Sequence, residues 1–593
     1  MTSGLVGYLN GADEWRNLID REWNDSIHIL TSGHLKGSPH RILSNGRFEK
    51  LIEDAVLGVA RSQLPWVDNN QNRRDAIGTH RRLYYYYAGQ FTNITPIRAT
   101  STINTDPFVT TASSAIVEVT DTAHGAAAGD IVSFSGATAV GGITINGEYT
   151  ITTLVDANTY TITHTSAASS SATGGGASVV AAYEISAGLE DSILAFGYGV
   201  GGYGVGTYGS IRTTSITLAA RTWSLGVRGD SLYACPRGGS IYKWSPGDTR
   251  ATLLTNAPTQ NVGIFVEEGG IIVAFGAGGQ KSNVQWCDQD LDTLWTPAID
   301  NTAGDKLLAQ TGELLAGATT EDQVSILWTE LRAVRMQRIT DDFVFAFRSF
   351  PENTGIIGPN AGASLQSRFF WMGQDDFLMS DGAQVVPIPN SEDIRRYVFG
   401  DINVTQGAKC FAGINAQFSE VWFFYCSASS DEVNRYVSVN IKDFSWFNGN
   451  IDSFPRTSWA DKGIYEAPFA FDPDGYMYQH ETGKDADGAA IDAYVKTAPF
   501  ADPSGRTIEV LSVIPDIKNQ VGDVTVAIMV REDPQDSETT DDTVTLTTTS
   551  EAEEPRAAGR LVAFRIRSNA VGGDFRMGKP EFQAILTGAR GRR

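Results

Sequence analysis

Two glycine-rich stretches, Gly197-Tyr198-Gly199-Val200-Gly201-Gly202 and Gly204-Val205-Gly206-Thr207-Tyr208-Gly209, have the spacing that brings backbone N–H groups against a dinucleotide pyrophosphate. That chemistry needs a strand before the glycines and a helix after them, with the helix N-terminus facing the phosphates. The residues that follow, Ile211 to Leu225, are threonine-rich and β-like. The expectation is a wide loop packing closely against another backbone or subunit, with Gly197, Tyr198, Gly199, Gly202, Tyr203, Gly206 and Tyr208 as candidate contact residues. Asp472-Pro473-Asp474-Gly475 and Asp485-Ala486-Asp487-Gly488 begin like calcium loops, but neither carries the glutamate that completes one, so hairpin turns are expected. HExxH, GxSxG and paired-cysteine motifs are absent, and seven histidines form no ligand spacing. No catalytic residue, metal ligand or cofactor is therefore assigned, although a glycosidase pair could hide among many carboxylates. No sialidase-type Ser-x-Asp-x-Gly-x-x-Trp box occurs.

The other chemistry is charge. Lys and Arg number 46 against 69 Asp and Glu, a formal net charge of −23 over 593 residues. That excludes a broad basic face gripping phosphate backbones, and an acidic wall lets DNA slide rather than stick. The acids concentrate at Glu532, Asp533, Asp536, Glu538, Asp541 and Asp542, then at Glu551, Glu553 and Glu554, all on connections between strands. They read as a solvated loop or as an acidic rim facing a channel or partner, with Asp536, Glu538, Asp541 and Asp542 the rim candidates. Arg590, Arg592 and Arg593 could dock on an acidic neighbour or fray. Four cysteines, Cys235, Cys287, Cys410 and Cys426, sit in or beside apolar runs and read as buried thiols. Neither a signal-peptide pattern nor a run of about 18 apolar residues is found, so folding in a cytoplasm without membrane insertion is expected.

The elements that would position these residues are β throughout. A cadence of strand, polar turn and apolar-aromatic strand closed by glycine recurs: Ala76–Thr79 with Leu83–Tyr86 and Gly89, Tyr233–Cys235 with Ile241–Trp244 and Gly247. It returns at Phe370–Met372 with Phe377–Met379 and Gly382, and at Phe469–Phe471 with Tyr476–Tyr478 and Gly483. Ala60-Arg61-Ser62 and Ala220-Arg221-Thr222 lead into the first two copies, and apolar anchors recur near Trp223, Ile264, Leu315, Phe370, Phe411 and Trp459. Repeats of roughly 40–50 residues, each a small sheet, predict an all-β chain built on a β-propeller. The boundaries expected are a polar segment 1–45 with His28, His34 and His40, a possible docking arm; a first propeller part 46–100; an inserted small β-domain 101–184; the main propeller 185–490; and a C-terminal β element 491–593, either closing the propeller or forming a small sandwich. The stretch 47–61 fits a helical face or strands, and Ser44-Asn45-Gly46 favours strands. In the insert, Ile116–Val119, Ile131–Phe134, Tyr149–Thr152 and Tyr160–Thr163 read as strands, and Gly174-Gly175-Gly176 as a flexible exit.

Several of these runs resemble the tail-hub or nozzle proteins of short-tailed bacteriophages, also called head-stabilisation or tail accessory proteins. They are Gly58-Val59-Ala60-Arg61 with Trp66, Ile77-Gly78-Thr79-His80, Thr95-Pro96-Ile97-Arg98, Gly197 to Gly209, Arg221-Thr222-Trp223-Ser224-Leu225, Cys235-Pro236-Arg237-Gly238-Gly239 and His480-Glu481-Thr482-Gly483. The likeness runs from about Gly58 to Gly483 and on to Arg593, interrupted by the insert at 101–178, which with His124-Gly125, Gly129-Asp130 and Asn158-Thr159-Tyr160 is similar to small β-modules of phage structural proteins. It implies a non-enzymatic virion protein assembled in the host cytoplasm, a homohexameric ring in the tail below the portal ring and head-tail adaptor. That ring would retain the genome and conduct it at ejection, touching double-stranded DNA transiently and meeting tail fibre, spike or needle proteins. It implies no cofactor and no catalytic residue. A competing reading is a glycan-binding or glycan-cleaving propeller of the tail, with Trp286, Trp295, Trp371, Trp422 and Trp446 stacking on sugars.

Overall fold

A computed structural model describes residues 5–8, 48–195, 216–309, 311–320, 324–339, 344–490, 493–497, 499–502, 504–577 and 580–589. Nearly all regular structure in it is antiparallel β; the longest helix among the described residues is Glu392–Phe399. The first sheet comprises Ala60–Val67, Arg73–Thr79, Leu83–Tyr87 and Gln90–Asn93. The second comprises Trp223–Arg228, Ser231–Pro236, Tyr242–Trp244 and Thr252–Leu253, and the third Gly263–Val266, Ile272–Phe275, Asn283–Trp286 and Gly304–Leu307. The fourth is Leu314–Thr319, Val324–Thr329, Ala333–Arg338 and Phe345–Ser349, and the fifth Gly362–Leu365, Arg368–Met372, Phe377–Ser380 and Val385–Pro387. The sixth is Phe411–Asn415, Glu420–Tyr425, Arg435–Asn440 and Trp446–Asn450. In the seventh, Ser458–Ala460, Phe469–Phe471 and Met477–His480 are completed by Phe48–Lys50 from the other end of the chain.

These seven sheets follow one another in a ring. The first strands of sheets one and two, two and three, three and four, five and six, six and seven, and seven and one are in contact. Sheets four and five join through a shared core in which Trp328 meets Trp371 at 5.6 Å between ring centroids. No sheet could bury both faces alone, so each takes its second face from a neighbour. Close approach is achieved by setting glycine against a neighbour's aromatic side chain. A Cβ on Gly78 would lie 2.5 Å from Trp223 Cδ1, and one on Gly413 2.7 Å from Trp459 Cγ. Both tryptophans also donate across the same boundary, Trp223 Nε1 to Thr79 O at 2.8 Å and Trp459 Nε1 to Ile414 O at 2.8 Å.

Between sheets one and two the chain builds an eight-stranded sheet whose edge strands are Ala172–Gly174 and Ile97–Thr102. The Gly174-Gly175-Gly176 run is held rather than flexible: at Gly175 a Cβ would sit 2.6 Å from the Phe108 ring, and φ is +115°. The chain then continues into Val180–Glu184, which pairs on both sides. A short hairpin, Ile193–Ala195 with Ile216–Leu218, precedes sheet two.

The C-terminal residues do not close the ring; Phe48–Lys50 does, paired with Met477–His480. Residues 493–589 instead make a two-stranded sheet, Ile517–Val521 with Asp574–Met577, and two larger sheets that share a core of Ile508, Val510 and Phe582 from one and Val526, Phe564 and Ile566 from the other. Leu5–Tyr8 adds an edge strand to the first of these by pairing with Glu581–Ala589. The remainder of the 1–45 segment, with His28, His34 and His40, lies outside the described residues.

Candidate functional site

Where the first strands converge there is a cavity of about 270 Å³, lined by residues from all seven sheets. Ser62 and Gln63, Ser224, Ile264, Gly317, Gly362, Ala412 and Ser458 each come from a different first strand, apart from the first two. Their polar atoms tie strands together. Ser62 Oγ donates to Trp223 O at 2.5 Å, and Asn360 Nδ2 donates to Arg61 O at 2.7 Å. Among the lining side chains only Arg61 is ionisable.

Arg61 is buried and already matched. Its Nη1 and Nη2 donate to the two carboxylate oxygens of Glu432, each at 2.7 Å. Burial alone would raise the Glu432 carboxyl, but the Arg61 guanidinium and the Lys409 ammonium hold it below its usual range. Lys409, fully buried, lies 3.7 Å from Glu432 and is paired with Asp191 as well. Gln406 bonds Ser192 in both directions, at 2.9 and 3.0 Å. This network fastens the base of the 193–218 hairpin to the turns of sheet six and to the wall of the central cavity.

One titratable group behind that wall has no cationic partner. Asp75 is fully buried, accepts from Gln63 Nε2, and leaves its other oxygen without a hydrogen-bond partner. Burial pushes its pKa up to about 7, against the lowering effect of the Gln63 and Leu64 hydrogen bonds. Sequence reasoning missed it; the signal was a lone acid within the apolar strand Asp75-Ala76-Ile77-Gly78. The four cysteines are free and buried, and burial pushes Cys235 and Cys410 up to about 12 and Cys287 to about 11, while Cys426 rises in the same direction. They are poor nucleophiles in this state.

The residues singled out in the sequence fall elsewhere. Gly197, Tyr198, Gly199, Gly202, Tyr203, Gly206 and Tyr208 lie outside the described residues, as do Arg590, Arg592 and Arg593. Asp536 is exposed in a turn, accepting from Asp533 N at 2.9 Å. Asp541 and Asp542 brace the edge strand Thr539–Leu546, accepting from Ala558 N at 2.9 Å and from Arg556 N at 2.7 Å. Those backbone bonds to Arg556 and Thr543 lower the Asp542 pKa. Glu538 lies in the connection just before that strand. Asp472 and Gly475 form the hairpin turn between Phe469–Phe471 and Met477–His480, with Gly475 at φ +86°. In the second aspartate pair, Gly488 N donates to Asp485 Oδ1 at 3.2 Å and Lys50 N to Asp487 Oδ1 at 3.2 Å. Among the described residues no three His, Cys, Asp or Glu side chains converge as metal ligands, and no helix is long and apolar enough to cross a membrane. Trp286, Trp295, Trp371, Trp422 and Trp446 are all buried in sheet cores rather than presented to solvent.

No protein-family model matches the sequence, and no curated protein does. Among solved structures, the extracellular domain of the putative hybrid two component system BT3049 from B. thetaiotaomicron superposes with a TM-score of 0.27 at 10% identity, over 88% of this chain and 72% of that one. Dihydro-heme d1 dehydrogenase NirN does so at 0.28 and 11% identity, over 60% and 68%. The phage phi92 endosialidase gives 0.18 and 10%, over 77% and 65%. Likeness at these scores carries no argument about fold or function.

Proposed function

We propose that this chain is a structural protein of a bacteriophage tail, a nozzle or hub protomer. In this reading the seven sheets are the blades of a β-propeller disc closed by Phe48–Lys50, with the eight-stranded insert and the C-terminal sandwich as decorations. Six copies form a ring below the portal and adaptor, retain packaged DNA and conduct it at ejection, with fibre, spike or needle proteins attached outside.

The observation that carries the reading is the make-up of the ring's centre. A glycosidase needs two carboxyl groups about 5–10 Å apart around its substrate, whereas the cavity wall offers no carboxylate and its one cation is neutralised. The centre serves closure rather than turnover. At about 270 Å³ it holds roughly nine waters at about 30 Å³ each. DNA would therefore pass between protomers, along a wall made by chains of formal charge −23. The glycan alternative draws no support from the buried tryptophans.

Native mass spectrometry of the purified protein, alone and after mixing with portal and adaptor rings, tests the reading. It predicts a six-copy species, alone or on the mixed rings, together with no release of reducing sugar from host surface polysaccharides. A chain that stays monomeric in every mixture, or that cleaves glycan, overturns it.

A further inference from the structure

Beside the ring, where the insert meets sheets one and two, a groove of about 970 Å³ is lined by His80, Arg81, Glu190, Arg221 and Arg237 together with backbone of 128–129, 150–152 and 187–189. In a chain with 23 more acids than bases, this groove gathers cations that the fold leaves unmatched. Arg81 Nη2 donates to Gly129 O at 2.8 Å, and Arg221 Nη1 donates to Ser186 O. The Arg237 side chain has no protein partner among the described residues, and none of the three arginines forms an ion pair there. Burial lowers the pKa of both Arg221 and Arg237, outweighing the opposing pull of Tyr242 and Asp130 on Arg221 and of Glu313, itself paired with Lys281, on Arg237. Glu190 sets one carboxylate against these three arginines; it lies 3.7 Å from His80, which burial and then Arg61 and Arg81 hold neutral with a pKa of about 4, so His80 adds no charge. The other acids nearby are committed, Asp191 to Lys409, and Asp130 to Arg98 and the backbone N–H groups of Ala127 and Ala187. The groove therefore carries a net positive charge and calls for carboxylates from outside.

We propose that the groove receives the acidic hairpin of a second copy of this chain, the turn between Val524–Arg531 and Thr539–Leu546. Residues 532–542 hold six carboxylates and no cation. Among the described residues Asp533 pairs with Arg560 at 2.8 Å, while Glu532, Asp536 and Asp541 are exposed. Guanidinium groups accept carboxylates in paired, geometrically defined bonds, and partial burial in the groove strengthens them. Groove and hairpin lie on different modules of the chain, so copies can join head to tail, the heterologous contact that closes a ring when the rotation fits. The proposal rests on the oligomeric reading above and names the surfaces that would build it.

The oligomer of the unaltered chain is weighed first by native mass spectrometry. A monomer in every mixture would fail the ring reading itself. Given an assembled wild type, Arg237→Glu and Asp536→Lys with Glu532→Lys should each weaken assembly at least tenfold while circular dichroism and melting stay those of the folded chain. Mixing the two variants should restore association through the swapped charges. Independently, Arg237→Cys and Asp536→Cys chains mixed under mild oxidation should give an intermolecular disulfide dimer, since the four native thiols are buried. An assembled wild type whose charge variants assemble equally well, with no cross-linked dimer, overturns the proposal and leaves the ring reading standing. Weakening of Arg237→Glu that inorganic phosphate mimics in the wild type, without any cross-link, marks the groove as a free-oxyanion site and also overturns it.

Discussion

Replacing Glu432 by glutamine removes one charge and keeps the side-chain shape, and it should destabilise the fold severely. The Arg61 side chain is only 2% exposed and the Lys409 side chain is 0% exposed, and both face Glu432. Breaking a buried pair by removing one partner costs about 3–5 kcal/mol, because the surviving charge stays desolvated. Lys409 keeps Asp191, so the loss falls chiefly on Arg61, and the low end, about 3 kcal/mol, is expected. Urea unfolding followed by tryptophan fluorescence measures it, alongside a double variant, Arg61→Met with Glu432→Leu, which removes both charges. The double variant should recover most of the loss, and with the single variants Arg61→Met and Glu432→Leu it should close a cycle with a coupling of about 2–3 kcal/mol. Because the folded carboxyl is held below its unfolded value, this contribution is fully present above about pH 4.3 and is lost as pH falls through the folded pKa. A Glu432→Gln stability within about 0.5 kcal/mol of wild type, the scatter of surface substitutions, refutes the reasoning.

Asp75 works in the opposite sense. Its pKa is raised from 3.8 to about 7, so the folded state holds a proton that the unfolded state releases, and stability should fall by about 3 kcal/mol between pH 4 and pH 7, at no more than about 1.36 kcal/mol per unit; Asp75→Asn should abolish that slope, and an unchanged pH profile would count against it. Gly78→Ala places a methyl 2.5 Å from Trp223 and should cost about 1–3 kcal/mol in urea unfolding. Gly463→Ala, with its nearest neighbour at 3.8 Å, should stay within about 0.5 kcal/mol, and equal effects at the two sites would remove the packing argument. The four thiols should react with a disulfide reagent only after denaturation, and rapid labelling of the native chain would show the burial to be wrong.

The strand pairs were legible where apolar runs are contiguous and bounded by turns. Phe370-Trp371-Met372 and Phe377-Leu378-Met379 are adjacent strands of sheet five, and Trp223, Ile264, Leu315, Phe411 and Trp459 all lie on first strands. Phe370 marks a second strand instead, because the first strand of that sheet, Gly362–Leu365, is short and carries one large apolar residue. The closing strand Phe48–Lys50 was not legible as such, since its partner lies more than 400 residues away and nothing local specifies that pairing. In the insert the four alternating apolar strands stood out, while Ile97–Thr102 and Ala172–Gly174 are threonine-rich or small and gain their conformation from the sheet edge. The site was less legible still. Arg61 and Arg221 occupy the same place in a repeated lead-in, yet Arg61 is neutralised by Glu432 and Arg221 faces an open groove. That difference is made by residues distant in sequence.

The central claim is that this chain is a ring-forming structural part of a tail. Electron microscopy with class averaging, on the purified protein alone and mixed with portal and adaptor rings, tests it most directly. The account predicts six-fold rings with an open axial passage between protomers, stacked on the adaptor. Isolated single discs in every mixture, with no density on the adaptor, would contradict it.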